Sequence, residues 1–284
     1  MTSPSLDDVA RSYCASQHLT FSRPIGAGAF KETFAVALPS GTKAALKIYK
    51  PGFDAQRVVR EIDALVKCRH QNVAELFSIE LFEHSGVQYL ASTEELLGGG
   101  TLTDTLAVNR LSREEALHIG SALIEAVATI AANRLVHRDI KPDNIMFRTD
   151  RASPVLVDFG LVRDLAAESI TQTWQMRGPG TPLYAPPEQL RNDKAMIDWR
   201  SDQFSLGVVL SYATFGMHPY DRGADSIETI VERVATRHSP QKPFLEASRR
   251  ERLPCLQQMV QPWPVNRIHT PAALQAEWNK QLGL

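Results

Sequence analysis

The residue pattern predicts an α+β chain, with a small β-rich part followed by a larger helical part. Three observations carry this. Between Phe21 and Ala91, short apolar runs are bounded by Gly, Pro and Ser: Phe34-Ala35-Val36-Ala37-Leu38, Ala44-Ala45-Leu46-Lys47-Ile48-Tyr49, Leu76-Phe77-Ser78-Ile79 and Val87-Gln88-Tyr89-Leu90-Ala91. Gly98-Gly99-Gly100 then interrupts the chain. Beyond it, apolar residues recur at helical spacing in 112–133 (Leu117, Leu123, Ile124, Val127), 205–212 and 226–235 (Ile227, Ile230, Val231, Val234). Strands and helices that come in blocks point to an α+β arrangement rather than to βαβ units.

Two further helices are expected in the first part. Ser5 stands as an N-cap before Leu6, Val9 and Tyr13 at helical spacing, and 54–67 carries Val58, Ile62 and Leu65 on one face. The segment 1–18 therefore reads as an extension with a short helix ahead of the main domain.

The bulk properties exclude several classes. A chain of 284 residues with 43% hydrophobic and 22% charged residues can bury a sizeable core. Its 31 basic and 32 acidic side chains leave a net charge of -1, which gives no electrostatic case for nucleic acid as a partner. Cys14, Cys68 and Cys255 are odd in number and far apart. They suit neither a disulfide framework nor a metal site, so a reducing, cytoplasmic setting is expected. The first ten residues hold no apolar leader core and no run of about 18 apolar residues is found, so direct membrane insertion is not expected.

The chemistry sits in short strings. Gly26-Ala27-Gly28-Ala29-Phe30 lies between strand-like runs, and glycines there let backbone amides approach phosphate oxygens. Taken alone, two glycines in a hairpin are usually just a turn. The stronger signal is His137-Arg138-Asp139-Ile140-Lys141-Pro142-Asp143-Asn144, followed by Asp158-Phe159-Gly160 after the apolar run Val155-Leu156-Val157. Phosphoryl transfer needs such a set: hard oxygen ligands for magnesium, a carboxylate to take a hydroxyl proton, and a lysine for phosphate charge. Charged surface loops would have to produce both strings together by chance.

On these motifs, taken in order, the chain resembles the eukaryotic-type (Hanks-type) serine/threonine protein kinases from about Leu19 onward. The resemblance implies a two-lobed kinase fold, with a β-rich N-lobe at about 19–97 and a helical C-lobe at about 98–284. It implies ATP and Mg2+, with transfer to Ser or Thr hydroxyls of protein substrates and room for a regulatory partner. Lys47 would hold the α- and β-phosphates with Glu61 as its ion-pair partner, and Asp139 would be the catalytic base. Lys141 would reach the γ-phosphate, and Asn144 and Asp158 would ligate the metal. Nucleotide contacts would come from Ile25, Gly26, Ala27, Gly28, Ala29, Phe30, Thr33, Ala45, Lys47 and Met146, with hinge backbone from Glu95 and Leu97. Counting from the other side shifts that hinge to Glu94 and Leu96. Ser169, Thr171 and Thr173 become candidate phosphosites in a loop ending at Gly180-Thr181-Pro182. Glu188 would pair with Arg267, Asp202 would bind catalytic-loop backbone, and His137 reads as a packed core histidine.

Three positions depart from the pattern. Lys31 replaces the third loop glycine, so that turn must do without easy positive φ or take another shape. Thr33 stands where an apolar residue covers the adenine, which removes on the order of 1 kcal/mol of apolar contact. Pro186-Pro187-Glu188 keeps the acid of the usual Ala-Pro-Glu. Two other readings stand beside the kinase: a pseudokinase scaffold that binds partners without catalysis, and a small-molecule phosphotransferase. The four groups Lys47, Asp139, Asn144 and Asp158 speak against the first, and the long substrate-facing loop against the second.

Overall fold

The computed structural model describes residues 4–28, 31–52, 66–149, 152–158, 163–164 and 181–283. The chain forms two compact units, Met1–Arg69 with Ala74–Gly98, and His70–Val73 with Gly99–Leu284.

The first unit is built on a five-stranded antiparallel sheet of order β1-β2-β3-β5-β4. Its strands are β1 (Thr20–Ala27), β2 (Lys31–Ala37), β3 (Lys43–Tyr49), β4 (Leu76–His84) and β5 (Val87–Glu95). Alternation divides the sheet into two unlike faces. One presents Phe34, Val36, Ala44, Leu46, Ile48, Tyr89 and Ala91, which are buried against Val9, Ala10, Tyr13 and Cys14 of the helix Leu6–Ser16. Ser5 caps that helix by accepting from the Asp8 N–H at 3.2 Å. Tyr13 packs on Phe82, ring centroids 4.7 Å apart, and Phe82 stacks on Tyr89 at 5.7 Å. The register pairs Thr33 with Lys47 and Lys47 with Ser92, and Ala45 with Glu94. Thr33, Ala45, Lys47, Ser92 and Glu94 therefore share the other face.

β5 extends to Glu95, well past the apolar run that marks it in the sequence. Ser92, Thr93 and Glu94 are buried polar residues, and their strand backbone is paired to β3 and β4 on both sides. Most of the expected helix at 54–67 lies outside the described residues.

In the second unit, Arg113–Ala132 is a 20-residue helix started by a capping box. The Ser112 Oγ accepts from the Glu115 N–H, and Glu115 returns a carboxylate oxygen to the Ser112 N–H. By length and composition this helix is apolar enough to cross a membrane, but half of its most apolar window is buried in the protein. Part of its cover is Trp278, from the helix Pro271–Leu282. The indole Nε1–H donates to the Leu117 carbonyl at 3.0 Å. Gly120 makes that approach feasible, since a Cβ there would lie 2.1 Å from the ring.

The helix Trp199–Phe215 begins six residues before its apolar periodicity does. Its first turns carry Ser201, Asp202 and Gln203, all buried, and each is matched to a specific group. Ser201 donates to Glu188, Asp202 accepts from loop backbone, and Gln203 exchanges two hydrogen bonds with the Ile268 backbone. Polar residues of this kind look like loop in a hydrophobicity pattern.

The glycine triplet has a packing role. A Cβ on buried Gly99 would come within 2.1 Å of the Arg148 carbonyl oxygen, and the Gly99 N–H donates to the Phe147 carbonyl at 2.9 Å. All three cysteines are free and buried. Burial pushes the thiols of Cys14 and Cys68 up to about 11 and that of Cys255 up to about 12, so none carries thiolate character near neutrality.

Candidate active site

The second unit holds the string 137–144 on a short scaffold. The two-residue strand β6 (Leu135–Val136) leads into the loop, which closes through a 3-10 turn at Pro142–Asn144 into β7 (Ile145–Phe147). β7 pairs with β8 (Pro154–Leu156), which delivers Asp158 two residues later. β6 pairs with the backbone of β9 (Arg163–Asp164).

Arg138 and Asp158 both adopt left-handed backbone, φ +69° and +66°. Such a turn costs a non-glycine residue about 1 kcal/mol or more, and holds only where its surroundings impose it. At Arg138 they do. The two carboxylate oxygens of Asp202 accept from the N–H groups of His137 (2.7 Å) and Arg138 (2.8 Å), while Gln189 Nε2 donates to the Arg138 carbonyl at 2.7 Å. Burial raises the Asp202 carboxyl above its ordinary range, and His137 together with the two N–H groups opposes that rise.

His137 is fully buried. Its Nδ1 accepts from the Asp139 N–H at 3.3 Å, so Nε2 carries the proton that is donated to the Val157 carbonyl at 3.1 Å. Burial depresses its basicity, and both ring nitrogens are engaged in packing the loop rather than free for proton transfer.

The loop converges on Asp139. Lys141 Nζ donates to Asp139 Oδ2 at 2.9 Å, and Asn144 Nδ2 donates to the same oxygen at 3.0 Å and to the Asp139 carbonyl at 2.9 Å. The Asp139 side chain is 13% exposed. Burial raises its affinity for a proton; the Lys141 charge opposes the shift and nearby Asp158 reinforces it.

Asn144 gives its amide hydrogens to Asp139, and Asn144 Oδ1 and the Asp158 carboxylate are the hard oxygen donors that would hold a cation. Among the described residues, no cluster of three or more His, Cys, Asp or Glu can hold a metal. A sparse set of one amide and one carboxylate fits magnesium, which takes few protein ligands and completes its shell with phosphate oxygens and water.

In the first unit, Lys47 Nζ lies 2.5 Å from Glu94 Oε2 in a buried ion pair. Ser92 Oγ donates to the other Glu94 oxygen at 3.1 Å. Glu61, the partner implied by resemblance, lies outside the described residues. Sequence reasoning missed Glu94 in this role, although an acid at the inner end of an apolar strand calls for a cation nearby. Gly26 is paired with Thr33 in the β1–β2 ladder. The Gly28 N–H donates to the Lys31 carbonyl at 2.8 Å, and Lys50 Nζ donates to the Gly28 carbonyl at 2.9 Å. Lys31 itself begins β2 in extended backbone, its ammonium 5.4 Å from the centre of the Tyr49 ring. Lys31 therefore has no positive φ at the position where the third glycine would stand.

Ile25 lies on β1, Ala45 on β3 beside Lys47, and Met146 on β7, while Leu97 is buried. Glu95 ends β5 and gives its N–H to the Glu75 carbonyl at 2.8 Å. Ala29, Phe30, Ser169, Thr171 and Thr173 lie outside the described residues. The expected Glu188–Arg267 ion pair is present and excluded from solvent.

Comparison with known proteins identifies the family. The family described as protein kinase domain matches residues 19–279. The chain is 29% identical over 273 residues to CBL-interacting serine/threonine-protein kinase 9 of Arabidopsis thaliana, covering 91% of this chain and 57% of that protein. It is 31% identical to the maternal embryonic leucine zipper kinase of Danio rerio, covering 92% of this chain and 38% of the relative. It is also 31% identical to the probable serine/threonine-protein kinase PkwA of Thermomonospora curvata, at 80% and 30% coverage. This chain thus spans less than two thirds of the length of each of these relatives. Because the match runs through the antiparallel sheet, the Asp139 loop and the Glu188–Arg267 brace alike, the chain belongs to the protein kinase domain family and has its two-lobed α+β fold.

Proposed function

We propose that this chain is a serine/threonine protein kinase that transfers the γ-phosphoryl group of ATP, with Mg2+, to protein hydroxyls. The observation that carries the proposal is the clamped carboxylate of Asp139. Lys141 and Asn144 occupy its Oδ2, which directs Oδ1 to the incoming hydroxyl as the atom that takes the proton. Its proton affinity, raised by burial, suits a base that must accept a proton while the phosphoryl group transfers. The Lys141 ammonium, beside Asp139, would meet γ-phosphate charge.

Asn144 and Asp158 would hold the metal; when bound, Mg2+ neutralises charge on the phosphate oxygens. Lys47 supplies the cation for the α- and β-phosphates. Nucleotide contacts would come from Thr33 and Ala45, which share a sheet face, and, as the family resemblance implies, from Ile25, the 26–30 loop, Met146 and hinge backbone at Glu95 and Leu97. The names of the relatives, serine/threonine-protein kinases from a plant and a bacterium, support the choice of acceptor. A non-catalytic scaffold has no need of the Lys47, Asp139, Asn144 and Asp158 set. A cytoplasmic setting and autophosphorylation at Ser169, Thr171 or Thr173 belong to the same proposal.

The test is direct. Purified protein incubated with magnesium-ATP and a cell lysate should raise phosphoserine and phosphothreonine by mass spectrometry. Asp139→Asn should bind nucleotide but lose roughly 100- to 10,000-fold in turnover. Turnover near wild type in that variant, or products dominated by phosphotyrosine, would overturn the assignment.

A further inference from the structure

Lys47 reaches its partner across a strand pair. It is paired with Ser92, and Glu94 stands two residues further along β5 on the same face, so the contact is diagonal. Both side chains are nearly closed to solvent, at 11% for Lys47 and 3% for Glu94. Ser92 fixes the second carboxylate oxygen, so the acid is held from two sides. The opposite face of the sheet is apolar and covered by the helix Leu6–Ser16. A nucleotide bound by Lys47 must therefore lie on the face that also carries Glu94. Phosphate oxygens and the Glu94 carboxylate then seek the same ammonium, and a carboxylate that stays behind repels them.

We propose that Glu94 is a positioning residue that pairs with Lys47 and competes with the phosphates of ATP for it, thereby setting nucleotide affinity. This rests on the kinase reading above. A ligand gains only by the difference between the contacts it makes and those it displaces. Part of the Lys47–phosphate attraction is consumed in separating Lys47 from Glu94. Glu94→Gln keeps the shape and an acceptor for Ser92 while removing the charge.

The test is calorimetric or fluorescence titration of the full chain with ATP, ADP and adenosine, in the presence of magnesium. Glu94→Gln should bind ATP and ADP roughly tenfold more tightly than wild type, the scale of one charge-assisted contact. Adenosine, which carries no phosphate, should change less than about twofold by the same argument. Glu94→Asp, which keeps the charge, should stay nearer to wild type than Glu94→Gln does. Unchanged or weaker ATP binding in Glu94→Gln overturns the proposal, as does an equal gain for adenosine, which would place the effect at the base. Wild-type protein that binds none of the three would instead remove the kinase reading and this proposal with it. Should Glu94→Gln fail to fold, melting temperatures of Lys47→Met and Lys47→Met/Glu94→Gln decide the pairing. The double variant should melt higher than the single one, because it no longer buries an unpaired carboxylate. A double variant that melts no higher refutes the pairing.

Discussion

Arg267 and Glu188 meet in a forked ion pair, Nη1 to Oε1 at 2.6 Å and Nη2 to Oε2 at 2.9 Å, with neither side chain reaching solvent. The remaining guanidinium donors are also used, on the carbonyls of Gln261, Arg200 and Pro262, and Ser201 adds a hydrogen bond to Glu188. A buried pair of this quality is costly to break from one side. Arg267→Ala or Glu188→Ala should each lower stability by about 3–5 kcal/mol in urea unfolding, because each strands a buried charge. The double variant Arg267→Met/Glu188→Leu should recover much of that loss. Additive losses in the double variant would show that the two charges are not coupled.

Asp202 acts at a distance from the chemistry. Its carboxylate holds the N–H groups on either side of the His137–Arg138 peptide step, and so the left-handed turn that presents Asp139. Asp202→Asn can offer an acceptor to only one of the two donors. Turnover should fall by at least about tenfold, with a smaller change in the KM for ATP, since a displaced base costs more in the transition state than in nucleotide binding. An unchanged kcat would mean that the loop holds its shape without this anchor.

His218 makes stability depend on pH in a predictable direction. It is buried, with Nε2–H on the Leu183 carbonyl and Nδ1 accepting from the Tyr220 N–H, and burial lowers its pKa to about 4. The unfolded chain, near 6.5, binds a proton more readily than the native one. The contribution is therefore intact above pH 6.5 and is lost as pH falls from there toward 4, by up to about 3 kcal/mol. Unfolding free energies measured across that window should show this slope, and His218→Gln should flatten it. A wild-type profile that His218→Gln leaves unaltered would place the titration elsewhere.

We propose that phosphorylation at Ser169, Thr171 or Thr173 switches activity, with Arg138, the residue before Asp139, as the group that would receive the phosphate, as the family resemblance implies. A phosphoryl group brings about -1.5 to -2 charges, enough to order a segment against a guanidinium. Activity should rise on preincubation with magnesium-ATP and fall again after phosphatase treatment. The triple variant Ser169→Ala/Thr171→Ala/Thr173→Ala should stay at the phosphatase-treated level. Full activity in that variant would mean that phosphorylation of these positions does not govern the enzyme.

Family, fold class and the order of the motifs were legible in the residues because each rests on a local signal. The bounded apolar strand runs, the helical periodicity, the Ser5 cap and the strings around Asp139 and Asp158 are each set by residues within a few positions of one another. The extent of β5 and of the helix Trp199–Phe215 was not legible. There the chain buries Ser92, Glu94, Asp202 and Gln203, whose polarity imitates loop until their partners are in place. Resemblance could supply Arg267 for Glu188, but no local pattern could have chosen it across 79 positions. Lys47 shows the limit most clearly. Its lysine was evident from Ala45-Leu46-Lys47, whereas its buried partner Glu94 is decided by the β3–β5 register, which sets Ser92 opposite Lys47. A one-residue slip would turn Glu94 to the apolar face, and that register is held by hydrogen bonds along the whole strand pair and by the apolar packing behind it.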